Sequence, residues 1–139
     1  MTTQRCVLGT LAGGVTLFVL GYVTYGITFA GFFAANRGSA TGVEREALAL
    51  WAIALGQLAW GGMLTLVIGW ARISTAGEGI KVGVIVGLLS ALGIDLTLYG
   101  ATNMQNLTAT LVDPILTMVL NGCAGFVIAL VVGKSAQAR

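Results

Sequence analysis

Residues 81–103, KVGVIVGLLSALGIDLTLYGATN, decide the fold of this chain. The stretch is long and apolar enough to cross a bilayer as one helix, which takes about 20 residues. Small residues recur at every fourth position through its first half and just before it, and such spacing lets helix backbones approach closely in lipid. The stretch therefore predicts a membrane helix that packs through its small residues: Gly79, Gly83, Gly87 and Ala91.

The same stretch carries one carboxylate, Asp95, a little past its centre. Placing such a group in a bilayer costs about 2.5–3.5 kcal/mol, and intramembrane carboxylates usually face the protein interior and mark function. No Lys or Arg lies at a matching depth in another apolar segment, so the expected partners are hydroxyl and amide groups. A protonated Asp95 that only holds helices together is the alternative, and both readings stay open. The candidate polar site comprises Asp95, Tyr99, Asn103, Tyr25, Gln57 and Asn121.

The composition is that of an integral membrane protein. Of the 139 residues, 57% are hydrophobic and 9% are charged, whereas a soluble domain carries about 25% charged residues. Too few charges are present to cover a soluble surface, and four long segments are almost free of charge. The predicted fold is an all-α bundle of four transmembrane helices in a single domain, residues 1–139. The predicted spans are 7–33, 47–70, 82–101 and 114–132.

Two local patterns predict where helices begin. Thr41 is followed three residues later by Glu44, which matches a capping box at the start of the second span. Asp113 directly precedes Pro114, and proline is favoured in the first turn of a helix, so Asp113 is predicted to be the N-cap of the fourth span. Asp95 and Asp113 are then expected to lie in different environments and not to form a pair.

The distribution of basic residues predicts the orientation in the membrane. Four spans place both termini on one side, and cytoplasmic segments carry an excess of Lys and Arg. The side with the termini and the second connection holds Arg5, Arg72, Lys81, Lys134 and Arg139, and the other side holds Arg37 and Arg45. Both termini are therefore predicted to be cytoplasmic.

The first and third spans share a sequence pattern, G-x3-G-x11-Y-G-x-T. Its two leading glycines are Gly9 and Gly13 in the first span, and the pattern begins at Gly83 in the third span. The second and fourth spans align Gln57 with Asn121. The pattern predicts two tandem helical hairpins in the same orientation, with a site at their interface. Chance similarity between Gly-rich helices is the alternative, because glycine is frequent in such helices.

The residue inventory argues against an enzyme. The chain has no histidine and no C-x-x-C, and its two cysteines, Cys6 and Cys123, stand far apart. No nucleophile has a base beside it at membrane depth, so no catalytic residue, metal site or cofactor is predicted. The net charge is only +2 and the basic residues are scattered, which argues against a nucleic acid partner.

The segment YGATNMQNLTATLVDPI, residues 99–115, follows a Gly-rich helix with an embedded Asp. In this it resembles a group of small uncharacterised bacterial four-span membrane proteins, broadly like the DUF1761 proteins. The likeness covers residues 79–134 and rests on Tyr99, Thr102, Asn103, Leu107, Thr108 and Asp113. The resemblance implies a four-span fold and a location in the bacterial inner membrane. It implies no particular activity.

The small-residue faces favour a non-enzymatic membrane protein that works through helix–helix assembly, as a homo-oligomer or as an accessory subunit of a membrane complex. Its expected partners are the lipid bilayer and either itself or another membrane protein. The alternative is a small transporter or channel in which Asp95 is the proton- or cation-responsive group. The two hypotheses differ in one feature, which is whether Asp95 faces a hydrated cavity or is sealed by hydrogen bonds.

Overall fold

The computed structural model describes residues 1–133, most of which lie in helices. The first helix, α1, continues directly as a seven-residue π-helix, and four further α-helices follow. Their bounds are α1 Thr3–Gly21, the π-helix Tyr22–Thr28, α2 Ala30–Ala35, α3 Leu50–Trp70, α4 Ala76–Ala101 and α5 Leu107–Gly133. Residues 134–139, which include two of the basic residues used to predict the orientation, lie outside the described range.

Four helical segments within residues 1–133 are long and apolar enough to cross a membrane. They are Thr3–Thr28, Leu50–Trp70, Ala76–Ala101 and Leu107–Gly133. The predicted all-α class with four membrane helices is confirmed, and the chain is a multi-pass membrane protein. Trp51 and Trp70 stand exposed at the two ends of α3, where indole rings favour the membrane–water interface.

The helices form two antiparallel hairpins, α1 with α3 and α4 with α5. Successive glycines of α1 meet residues of α3 in reverse chain order, and the glycines of α4 meet α5 in the same way. Helix α5 also packs against α1 along Gly9 and Gly13, so it joins the two hairpins and has more buried residues than any other helix described. Met1 lies beside Gly69 and Gly133 beside Ser74, which places residues 1 and 133 at the same end of the bundle.

The predicted small-residue face of α4 packs inside the protein. Gly79, Gly83 and Gly87 are buried against α5, and a Cβ added to Gly83 would fall on the carbonyl oxygen of Asn121. On α1, Gly9 and Gly13 are also buried against α3 and α5, but there the nearest atoms belong to side chains, chiefly those of Thr65 and Ile128. The helices pack so closely that a residue without a side chain fits best at these positions.

The two hairpins do not repeat one another's contacts. Gly13 lies next to Gly61, whereas its sequence counterpart Gly87 lies next to Asn121. The counterpart of Gly61 is Gly125, which packs instead against Gly79 and Gly83. The hairpins share an orientation, but the helices of the second pair meet in a different register.

The first predicted span, 7–33, is not one continuous α-helix. The helix widens at Tyr22 into the π-helix and ends at Phe29, whose N–H donates to the carbonyl of Thr24 at 2.7 Å, a residue five positions earlier. The short helix α2 follows as a separate element. Such π-segments occur often at functional sites, and this one carries two aromatic side chains, Tyr22 and Tyr25.

The predicted capping box at the second span is wrong. Glu44 pairs with Arg37 at 2.6 Å, Gly42 adopts a left-handed φ of 68°, and α3 begins only at Leu50. A capping box is found instead at α4, where Glu78 both donates its N–H to the Thr75 hydroxyl and accepts a hydrogen bond from it. Helix α4 therefore starts at Ala76, six residues before the predicted boundary at 82.

The predicted start of the last span is also wrong. Helix α5 begins at Leu107. Asn106 caps the start of this helix, because the Asn106 side-chain oxygen accepts the Ala109 N–H at 3.0 Å. Asp113 is thus inside the helix, and Pro114 is a buried interior residue. Proline has no N–H, so the carbonyl of Thr110 lacks its usual helical donor at this point.

Candidate functional site

A partly open cavity of about 500 Å³ lies between the four spans. It occupies the half of the bundle that is distant from the N-terminus. Its polar and aromatic lining consists of Phe18, Tyr22, Tyr25, Gln57, Trp60, Asp95, Asp113, Thr117 and Asn121. The remaining wall is formed by glycines and aliphatic side chains, among them Leu17, Leu48, Leu50, Ile53, Ala91, Ile94 and Leu120.

Asp95 is brought to this cavity by the buried face of α4. The glycines and Ala91 hold that face against α5, and Asp95 is the next residue at the same spacing. Its side chain is 7% exposed, yet its Oδ2 atom has no hydrogen-bond partner. Buried polar atoms are almost always paired, so an unpaired carboxylate oxygen beside a cavity is a specific anomaly.

Asp113 is the second carboxylate of the site. Its position inside α5 places it on the cavity wall, close enough to Asp95 for the two side chains to interact directly. The prediction that these two residues lie in different environments is therefore wrong, because Asp113 is an interior residue of α5 and not its cap. Two neighbouring carboxylates repel each other when both are charged. The cost is low only if one of them holds a proton or if the two share a cation.

A hydroxyl pair extends the site from Asp113. The Tyr25 hydroxyl is 3.0 Å from Thr117 Oγ1, and that hydroxyl in turn donates to Asp113 Oδ2 at 3.5 Å. The Tyr25 hydroxyl also lies near the Asp113 carboxylate. Tyr25 belongs to the π-helix, so the irregular segment of the first span is what delivers this ring to the cavity.

The deep end of the cavity is closed by a bond between helices. Trp60 on α3 donates its indole N–H to Asn121 Oδ1 at 3.1 Å, and the Asn121 amide donates to the Thr117 carbonyl at 2.9 Å. Asn121 is 1% exposed and both polar atoms of its side chain are hydrogen-bonded, in contrast to Oδ2 of Asp95. Gln57, one turn before Trp60, lines the same wall.

Two predicted site residues do not reach the cavity. Tyr99 is 43% exposed on the outside of α4. Asn103 lies in the connection after α4, where its carbonyl accepts the Ala40 N–H at 2.9 Å. A spacing of four residues drifts by about 40° per step around a helix, so the pattern leaves the buried face soon after Asp95.

The structure thus brings together four of the six predicted residues and adds five polar or aromatic ones that sequence reasoning missed. The four are Asp95, Tyr25, Gln57 and Asn121, and the additions are Asp113, Thr117, Trp60, Phe18 and Tyr22. Thr117 and Asn121 lie four and eight positions after Asp113 on α5. A spacing of four residues places side chains on one face of a helix. The pattern therefore indicates a shared face, but only if Asp113 lies inside the helix and not at its end.

The cavity has a negative character. Its lining contains two carboxylates and no Lys or Arg. The residues described contain no group of three His, Cys, Asp or Glu side chains that could hold a metal ion. The arrangement is suited to holding a proton or a cation between two carboxylates, next to hydroxyl and aromatic groups.

Comparison of the chain with protein-family models, with curated proteins and with solved structures found no match. The resemblance of residues 79–134 to DUF1761-like proteins therefore stays a prediction.

Proposed function

We propose that this protein is a small, non-enzymatic membrane transporter or channel in which Asp95 is the proton- or cation-responsive group. The observation that carries the proposal is the unpaired Oδ2 atom of Asp95, buried beside a cavity that a second carboxylate also lines. A purely structural carboxylate is expected to have partners for both oxygens. A buried carboxylate oxygen without a partner makes the charged group costly unless a proton or a cation neutralises it, and Asp95 and Asp113 both line the cavity from which either could come.

Helix–helix assembly is the second candidate. The glycines that suggested it are buried within the protein, so they are not available to a partner. What favours assembly is an open apolar groove on the outer surface between α1, α4 and α5, lined by residues such as Val15, Val19, Ile80, Val84 and Phe126.

A bacterial inner-membrane location with cytoplasmic termini completes the proposal, in which the cavity faces the opposite side of the membrane.

The transport proposal predicts a loss of flux in Asp95→Asn. This change keeps the shape of the side chain and removes its charge, so the variant should fold normally. Liposomes that contain the purified protein and a trapped pH indicator should show a flux of protons, or of cations coupled to protons, for the parent. The flux for the variant should be at least about tenfold lower.

The matched control is Glu46→Gln, the same change from acid to amide on an exposed residue outside the cavity. It should leave the flux unchanged. Unchanged flux in Asp95→Asn, or no flux from the parent under any imposed pH or cation gradient, would contradict the proposal.

A further inference from the structure

The shape and chemistry of the cavity narrow the kind of ligand that it accepts. We propose that the cavity binds an organic monocation with an apolar or aromatic body, held by Asp95 and Asp113 together. This inference rests on the proposed function for its transport role, but the binding itself can be measured separately.

The size of the cavity is the first argument. Its volume of about 500 Å³ falls within the range of about 300–1,000 Å³ that is typical of small-molecule pockets. An inorganic cation such as Ca²⁺ requires about six to eight oxygen ligands at 2.3–2.6 Å, which calls for a compact cage. The carboxylates here stand on one side of a much larger apolar space.

The walls are the second argument. Trp60, Tyr25 and Phe18 line the cavity, and the remainder is largely aliphatic. Aromatic faces attract cations, and they do so more strongly when water is excluded. An organic cation also buries its own apolar surface against these walls, a gain that an inorganic ion does not have.

The charge is the third argument. Asp95 has an unpaired buried oxygen, Asp113 lies beside it, and the lining has no basic residue to neutralise either. Two carboxylates without a basic neighbour make this part of the lining negative, so the ligand that it favours is a cation. Ligand binding and proton binding should then compete for the same two carboxylates.

The test uses the full chain in detergent and follows the fluorescence of Trp60, with Trp51 and Trp70 changed to phenylalanine so that one indole reports. Phenyltrimethylammonium is the probe. Tetramethylammonium has the charge without the ring, tert-butylbenzene has the shape without the charge, and K⁺ represents inorganic cations. The probe should bind saturably and at least about tenfold more tightly than each of these three, a difference of about 1.4 kcal/mol.

The variants Asp95→Asn and Asp113→Asn should each weaken binding of the probe at least about tenfold, and Glu46→Gln should not. In the unsubstituted cavity, the probe should bind more weakly as the pH is lowered, which tests the carboxylates even where a variant does not fold. The titratable groups that line the cavity are Asp95 on α4, Asp113 on α5, and Tyr22 and Tyr25 on the π-helix, and α3 adds none.

Equal binding of the probe, the neutral analogue and K⁺ would overturn the inference, as would binding that is unchanged in both carboxylate variants. Asp95-dependent proton flux without binding of the probe would overturn the inference and leave the proposed function in place. Carboxylate-dependent binding without any flux would support the inference and overturn the proposed function.

Discussion

Replacement of Gly83 by alanine is expected to destabilise the protein by about 3 kcal/mol, the upper part of the range for overpacking a core. A Cβ at this position would collide with the carbonyl oxygen of Asn121 and crowd the Cα of Gly122. Both obstacles are backbone atoms of α5, so no side-chain rotation relieves the clash, and the two helices must separate. The free energy of unfolding in mixed micelles, followed by circular dichroism, measures this loss.

Gly93→Ala is the matched control, because it is the same change on the same helix. Nothing lies within 4 Å of a Cβ added to Gly93. Alanine is the better helix former by about 0.5–1 kcal/mol, so this variant should be as stable as the parent or slightly more stable. Similar losses at Gly83 and Gly93 would show that α4 and α5 do not meet at the glycine face.

Replacement of Asp95 by leucine is expected to stabilise the protein by about 2 kcal/mol while it abolishes flux. Burying a carboxylate with an unpaired oxygen beside a second carboxylate is costly, and apolar replacement of buried charged groups is often stabilising. The neighbouring cavity gives the larger side chain room. Opposite changes in stability and activity are typical of residues that serve function.

Asn121→Leu provides the comparison, since Asn121 is also buried but both of its polar atoms are paired. Its replacement removes the acceptor for the Trp60 indole and should destabilise the protein by about 1–3 kcal/mol. The same micelle unfolding measurement ranks the two variants. If Asp95→Leu proves as destabilising as Asn121→Leu, then Asp95 is a structural hydrogen-bonding residue.

The overall fold was predictable from the sequence because it depends on hydropathy and length. Only helices and closed barrels satisfy every backbone polar group in lipid, so four long apolar segments leave little choice. The buried face of α4 was predictable for a related reason, since Gly79, Gly83 and Gly87 share a spacing that fits close helix packing.

The helix ends were less predictable because several short patterns compete for the same backbone groups. Thr41 with Glu44 and Thr75 with Glu78 have the same spacing in the sequence. Glu44, however, forms a salt bridge with Arg37, whereas Glu78 bonds to Thr75. Asp113 before Pro114 looks like a cap, yet Asn106 starts the helix earlier. The Arg37–Glu44 pair spans seven residues, and Asn106 is also held by Asn36, 70 residues away in the chain. Neither contact is part of the four-residue capping pattern.

The errors at the site follow from the errors at the helix ends. Because Asp113 was assigned to a helix boundary, its place beside Asp95 was not foreseen. Tyr25 and Tyr99 were both expected at the site, but only Tyr25, which lies on the π-helix, lines the cavity. Tyr99 is exposed on α4 because its spacing of four residues has turned away from the buried face. A π-helix within an apolar segment has no strong sequence signature, so this feature required the structure.

The central claim is that Asp95 and Asp113 share a cavity that water and cations can enter. The most direct measurement is the rate at which a charged thiol reagent modifies Asp113→Cys in a chain whose own Cys6 and Cys123 are changed to serine. A trimethylammonium methanethiosulfonate reagent should react quickly from the side opposite the N-terminus, and about tenfold or more faster than the sulfonate reagent, because Asp95 attracts cations. Ile115, two residues away, is 54% exposed on a membrane helix and does not line the cavity, so Ile115→Cys should react with neither. An unreactive Asp113→Cys, or equal rates with the two reagents, would contradict the claim.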